Sequence, residues 1–185
     1  MAGSMGRALR LGLAIALLAA AGALVAACGS DEVDLTVAEG EPVELGELRY
    51  NVQITRFLNP GDPEDESYLV GQPGADPDQE YLGVFMTVDN EGDTTVEVPE
   101  DMRITDTRDN EYEPLDTESE FALPLGTELP GGDELPAPDT PAASGPIAGG
   151  MVLFLVDRTV TENRPIELEI PASDSDEHAE IELDI

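Results

Sequence analysis

The chain has 185 residues, with 41 Asp and Glu against 8 basic residues, one Cys, one His and no Trp. All eight basic residues are arginines, which excludes Schiff-base lysines; the lone His178 cannot build a multi-histidine metal site, and the lone Cys28 cannot build an internal disulfide, a cysteine-rich zinc site or a CxxC pair. A formal charge of −33 argues against binding nucleic acid, because affinity for phosphates comes from clustered Lys and Arg.

Arg7 and Arg10 precede an unbroken apolar run from Leu11 to Ala27, 17 residues without charge or proline. A charged start followed by such a stretch is the n-region and h-region of an export signal, and it falls short of the ~20 apolar residues of a membrane span. The run ends Leu24-Val25-Ala26-Ala27-Cys28-Gly29-Ser30, which resembles the bacterial lipobox: an aliphatic residue, two small residues, then Cys. The resemblance implies diacylglycerol on the Cys28 thiol and cleavage by signal peptidase II between Ala27 and Cys28. A plain secretory signal with a leftover thiol and an uncleaved anchor are the competing readings. Residues 1–27 are therefore expected as a lipoprotein signal peptide. Residues 28–41 are expected as a lipidated N-terminus and tether, with a possible strand start between Val33 and Val37.

Without the signal, the chain keeps all 41 acids and six arginines, a formal −35 over 158 residues. Charge of this density opposes collapse into a core. Val, Ile, Leu and Phe still supply 38 of those residues, above the roughly 20% below which disorder is the default. Their arrangement decides in favour of a fold.

Tyr50, Val52 and Ile54 alternate with Asn51, Gln53 and Thr55, the period of two that sends one set to a core and the other to water. Residues 59–79 follow as a long acidic loop containing four prolines. Tyr81 to Val88 is apolar on both faces, as a central strand is, and Asp89 to Asp93 predicts a turn into a hairpin partner at Thr94–Val98. Met102 and Ile104 alternate with Arg103 and Thr105, and Asp109-Asn110 turns the chain before Tyr112. Residues 114–148 form a second long loop with seven prolines and four glycines. Met151 to Val156 is again apolar on both faces, and Ile166–Ile170 and Ile181–Ile185 predict a closing hairpin around an acidic turn. Seven or eight short strands and no strong amphipathic helix after residue 28 predict an all-β fold. The expected architecture is an antiparallel immunoglobulin-like β-sandwich over 42–185, preceded by a cleaved signal helix.

The order Gly46 to Ile54, Tyr81 to Asp93, Ile104 to Tyr112 and Gly149 to Val156 resembles the telokin-like, immunoglobulin-like domain of unknown function common in bacterial lipoproteins and secreted proteins. The similarity covers roughly residues 42 to 171. It implies a β-sandwich outside the cytoplasmic membrane and transfers no catalytic site; the two long acidic insertions depart from the family's compact pattern.

Connections longer than about 12–15 residues are usually functional or disordered. Solvated, partly mobile loops are the plain expectation. The sharper one is a partner-binding loop at 114–148 carrying Phe121, Leu123, Leu125, Leu129 and Leu135, residues that would alternatively cover a sheet edge. Calcium is the one metal weighed, at Asp62, Glu64, Asp65 and Glu66, at Asp76, Asp78 and Glu80, or at Asp174, Asp176 and Glu177. None of these has EF-hand spacing, so solvated charge is expected, with no metal and no cofactor. His178 is expected as a surface residue in the acidic turn, and Met86, Met102 and Met151 as core. The expected function is a lipid-anchored extracytoplasmic binding or assembly module. It would be held at the membrane by acyl chains on Cys28, bind an unidentified extracytoplasmic protein and perform no catalysis. A structural envelope component and, further off, a carboxylate- or metal-dependent hydrolase are the alternatives.

Overall fold

The two segments that are apolar on both faces become the centre of the molecule. The computed structural model describes residues 35–185; the segment expected as a signal peptide, with Ala27, and Cys28 lie outside the described residues. In chain order the strands are β1 (Leu35–Ala38), β2 (Val43–Leu45), β3 (Leu48–Leu58), β4 (Gln79–Asn90), β5 (Val96–Glu97), β6 (Arg103–Asp106), β7 (Glu111–Tyr112), β8 (Glu128–Leu129) and β9 (Glu134–Leu135). A helical turn, α1 (Pro141–Ser144), precedes β10 (Gly150–Asp157), β11 (Ile166–Pro171) and β12 (His178–Glu182). One sheet runs β1-β12-β11-β6-β7 and the other β10-β4-β3-β2, with β9 extending along β4 beyond the end of β10. The fold is a β-sandwich. Eight of the strands match those expected, β1 falls at the strand start weighed between Val33 and Val37, and β2, β8 and β9 are additional short ones.

Alternation builds the core between the sheets. Tyr50 and Val52 of β3, Leu82, Val84, Met86 and Val88 of β4, and Val152, Phe154 and Val156 of β10 face Ile104, Ile166, Leu168, Ile170 and Ile181 of the other sheet, all within one buried cluster. Each fully buried side chain of this size contributes roughly 1.5–3 kcal/mol, and no inter-sheet disulfide takes part in holding the two layers.

The opposite face of β4 and β10 carries Tyr81, Phe85, Met151 and Leu153, and these are equally buried. Their cover comes from the two long connections: Tyr68 and Leu69 from residues 59–79 and Phe121 from residues 114–148 complete a second apolar cluster. The Tyr68 ring meets Phe85 edge-on at 5.3 Å and Phe121 at 4.8 Å, an aromatic trio at the centre of this layer. Gly83 makes the close packing feasible, since a Cβ there would lie 3.0 Å from the Phe85 ring and 3.1 Å from Leu58.

The 114–148 segment also satisfies the open edge of β10. Leu115 and Leu123 donate backbone N–H groups to the carbonyls of Leu153 and Met151, and Met151 donates to Phe121, at 2.7–2.8 Å. Ser119 Oγ donates to the Ser67 carbonyl at 2.8 Å and Gln72 Nε2 to the Asp116 carbonyl at 2.6 Å, tying the two connections together. They are therefore a packed layer, unlike the solvated loops expected from their composition.

Three further expectations are corrected. The sheet begins at Leu35, inside the segment expected as tether, because β1 pairs in parallel with β12 from Leu35↔Ala179 to Ala38↔Glu182. Ile54 does not share a face with Tyr50 and Val52: the β3–β4 register shifts between Val52 and Ile54, a bulge at Gln53 that turns Ile54 opposite Phe85 on the other face, where it stays 40% exposed. Residues 94–98 do not pair back on β4. Its two edges near the end are already occupied by β3 and β9, so β5 pairs with β8 instead. The expected closing hairpin is present as β11–β12, beginning at His178 rather than Ile181.

Buried polar groups pin the turns. Asp106 accepts from the backbone N–H of Arg108 and Asn110, from Asn110 Nδ2 and from Asn163 Nδ2, all at 2.8–3.1 Å. Burial opposes ionisation of Asp106, but these hydrogen bonds outweigh it and hold the carboxyl below the usual range. Along the exposed edge of β3, Glu39 accepts from the N–H groups of Thr55 and Asp184, and Gly40 donates to Val52, which blunts the edge against pairing with another chain.

If the long connections are core, Phe121→Ala lowers stability by about 3 kcal/mol, the usual cost of emptying a buried aromatic site. Denaturant unfolding measures this, and a loss below about 1 kcal/mol would show the 114–148 segment to be a dispensable cover.

Candidate functional site

The five apolar residues expected to meet a partner pack inward. Phe121, Leu123 and Leu129 are buried, and Leu125 and Leu135 are partly buried against the core, Leu135 through its pairing with Val88. The geometry therefore supports a covering role, the alternative: Phe121 helps close the outer face of β4 and β10, while Leu123, Leu125, Leu129 and Leu135 join the inter-sheet core. Met86, Met102 and Met151 are fully buried core.

The weighed calcium positions are dispersed, and among the described residues no three acidic or histidine side chains are gathered to hold a metal ion. Asp65 is buried in an ion pair with Arg56 and accepts from the Asn59 N–H at 2.8 Å, so it closes its own turn. Glu80 stands 3.5 Å from Arg158. His178 is the half-buried first residue of β12, with Nε2 3.8 Å from Glu180 Oε1, not a residue of the turn.

The outer face of the β11–β12 hairpin concentrates negative charge. Glu167 lies directly across from Glu182, and Glu169 across from Glu180. Arg103 of β6 relieves one end with a bidentate pair to Glu169, at 2.9 and 2.5 Å, and Thr36 Oγ1 donates to Glu180 at 3.1 Å. Partial burial, then the charges of Glu180 and Glu182, push the Glu167 carboxyl above the usual range.

One end of the sandwich has a different construction. The β2–β3 turn at Gly46-Glu47, the segment Thr94–Glu97 and the β11–β12 turn at Ser173-Asp174 surround a cleft of about 410 Å³. Three exposed carboxylates, Glu47 and Asp174 from two turns and Glu97 from β5, come to its rim, and no basic side chain lines it. Leu45, Leu48 and Val96 form an apolar wall. Gly46 adopts φ +63°, a left-handed conformation suited to glycine, and Asp174 Oδ1 lies 3.7 Å from where its Cβ would sit. The turns are braced: Thr94 Oγ1 donates to Glu47, Ser173 Oγ donates to the Glu97 carbonyl at 2.5 Å, and Asn90 Nδ2 donates to the carbonyls of Thr94 and Leu129 at 2.8 Å.

Tyr50 forms the floor. Its side chain is 1% exposed and belongs to the inter-sheet core as well as to the cleft lining. Burial alone pushes this phenol well above its ordinary range, so it is a neutral donor and acceptor at any physiological pH. Sequence reasoning assigned Tyr50 to a core-facing strand position and weighed Asp174, with Asp176 and Glu177, as a calcium position in the acidic turn. Only the hairpin pairings bring them to one place, and no spacing in the sequence signals that convergence.

No protein-family model and no curated protein matches this chain. Among solved structures, it is similar to the yjhA protein of Bacillus subtilis, at 15% identity and a TM-score of 0.51, over 81% of this chain and 99% of that one. It is also similar to ycdA, a candidate lipoprotein of Bacillus subtilis, at 15% identity and a TM-score of 0.51, over 80% of this chain and 39% of that one. What they share is the fold.

The Glu ladder sets a pH response. A carboxyl raised in the folded state destabilises that state when ionised, and the penalty is relieved as pH falls through its folded pKa. Stability is expected to rise as pH is lowered from neutral toward the carboxylate range, and Glu167→Gln is expected to raise stability at neutral pH and flatten that rise. Thermal unfolding across this range checks both, and a variant no more stable than the parent at neutral pH would remove Glu167 as the source.

Proposed function

We propose that this chain is a lipid-anchored β-sandwich displayed on the extracytoplasmic side of the membrane, where it acts as a binding or assembly module for an extracytoplasmic partner. The observation that carries the proposal is Val25-Ala26-Ala27-Cys28 at the end of the apolar run from Leu11. A fold shared with a candidate lipoprotein supports it.

The anchor has to be chemical rather than electrostatic. A formal −35 is repelled by an anionic leaflet, and among the described residues no helix is long and apolar enough to cross a membrane. Acyl chains supply about 0.8 kcal/mol per buried methylene, and two or more give stable attachment. The first strand starts at Leu35, so the seven residues from Cys28 span about 25 Å at full extension. That length keeps the sandwich close to the bilayer surface. Binding rather than catalysis is favoured by the residue set, which holds no lysine and a single histidine that is committed to a strand.

Cys28→Ser is expected to move the protein from the membrane fraction to the soluble or secreted fraction. Unchanged membrane fractionation would contradict the lipid anchor.

A further inference from the structure

We infer that the sandwich stands end-on at an anionic bilayer. Its acidic end faces the lipid headgroups and is held off them by charge, and the β6–β7 turn and the β10–β11 connection point outward. This rests on reading the chain as lipid-anchored, and it assigns the surface turned to the membrane and the surface left to a partner.

The register of β1 carries it. β1 pairs in parallel with β12, Leu35 opposite Ala179 and Ala38 opposite Glu182. The chain from Cys28 therefore enters the fold beside the start of β12, at the end of the sandwich where the Gly46-Glu47 and Ser173-Asp174 turns meet. The seven residues from Cys28 reach about 25 Å at full extension, whereas the 11 residues of β3 make the sandwich roughly 35 Å long. A tether shorter than the domain does not let it turn over, so the domain either stands on its attached end or lies on a side.

Charge decides between the two. Glu47, Asp93, Glu97, Asp174, Asp176 and Glu177 are exposed at or beside the attached end, and Arg49 nearby is taken up by Glu91 at 3.5 Å. An anionic leaflet repels such groups mainly within a Debye length, about 8 Å at physiological salt. Standing brings one tip into that range, whereas lying brings a whole face. One face is the Glu ladder of β11–β12, where Arg103 neutralises Glu169 and leaves Glu167, Glu180 and Glu182. Another is the covering layer, with Glu64, Glu66, Glu118 and Glu120 exposed.

The opposite tip has a different charge. Residues 107–110 and 158–165 hold three arginines, Arg108, Arg158 and Arg164, against two acids, Asp109 and Glu162. Buried Asp106 ties these two connections together by accepting from the Arg108 N–H at 2.8 Å and from Asn163 Nδ2 at 2.9 Å. The end turned outward is therefore braced and locally free of the excess acidity, which is where a partner meets least repulsion.

Energy transfer on vesicles tests the orientation. The acylated full chain is placed in vesicles of phosphatidylcholine and phosphatidylglycerol that carry an acceptor on a headgroup. A donor is attached through Ser175→Cys at the near end or Glu162→Cys at the far end; Cys28 is the chain's single native cysteine and is blocked by its acyl chain. At ~150 mM salt, transfer from the Ser175 site should exceed that from the Glu162 site about threefold, the two sites lying roughly 35 Å apart along the membrane normal. At ~1 M salt, where the Debye length falls to about 3 Å, the difference should narrow as the faces are freed to approach the leaflet. Equal transfer at the lower salt, or stronger transfer from the Glu162 site, would overturn the orientation, and a difference unmoved by salt would overturn charge as its cause. Protein that does not float with the vesicles sinks the lipid anchor and this inference with it; protein that floats with equal transfer leaves the anchor intact and removes this inference alone.

Discussion

A strand that is apolar on both faces has to be covered twice, and the structure follows from meeting that requirement for β4. One face, through Leu82, Val84, Met86 and Val88, closes against the second sheet. The other, through Tyr81 and Phe85, would expose aromatic surface if the molecule were a plain two-layer sandwich. The 59–79 and 114–148 segments exist, in physical terms, to remove that surface from water. Burial of Tyr68 and Phe121 beside Phe85 replaces hydrated ring faces with close aromatic contacts. The same segments take up the backbone groups along the open edge of β10, so one layer solves a face problem and an edge problem together.

This arrangement reconciles an extreme charge with a stable core. The acids lie on turns and outward-facing strand positions while alternation keeps the inward positions apolar, as β11 shows with Ile166, Leu168 and Ile170 inward and Glu167 and Glu169 outward. Where the pattern sets like charges opposite one another, the sheet compensates locally. Arg103 neutralises one glutamate of the ladder and Thr36 solvates another, while Glu167 retains the strain as a raised pKa. Acidity of this kind favours solubility and draws in cations.

Most of the sandwich was legible from local patterns. Period-two alternation located β3, β6, β11 and β12, and doubly apolar runs marked β4 and β10 as central, because these signals depend only on neighbours in the chain. What failed depended on partners distant in sequence. The bulge at Gln53 reverses Ile54 without any local sign, and β5 loses β4 to β3 and β9. The apolar residues of 114–148 looked like a docking surface because proline and glycine hid their commitment to the core, Phe121 on the outer face of β4 and the four leucines in the inter-sheet cluster. The second cluster was implied all the same: a run such as Tyr81 to Val88, apolar on both sides, already demanded a second cover. The end cleft was invisible for a stricter reason. Glu47 and Tyr50, Glu97, and Asp174 belong to three separate stretches of chain, and only the closed hairpins bring them together.

Native-state hydrogen exchange tests the dependence on β4 most directly. If the long connections are a true layer of the fold, the amides of Leu115, Leu123 and Met151 exchange with protection comparable to that of the β4 amides, since they are hydrogen-bonded in the same cooperative unit. Exchange of the Leu115 and Leu123 amides at unprotected rates, with β4 still protected, would contradict the account, because β4 would then be stable with its outer face uncovered.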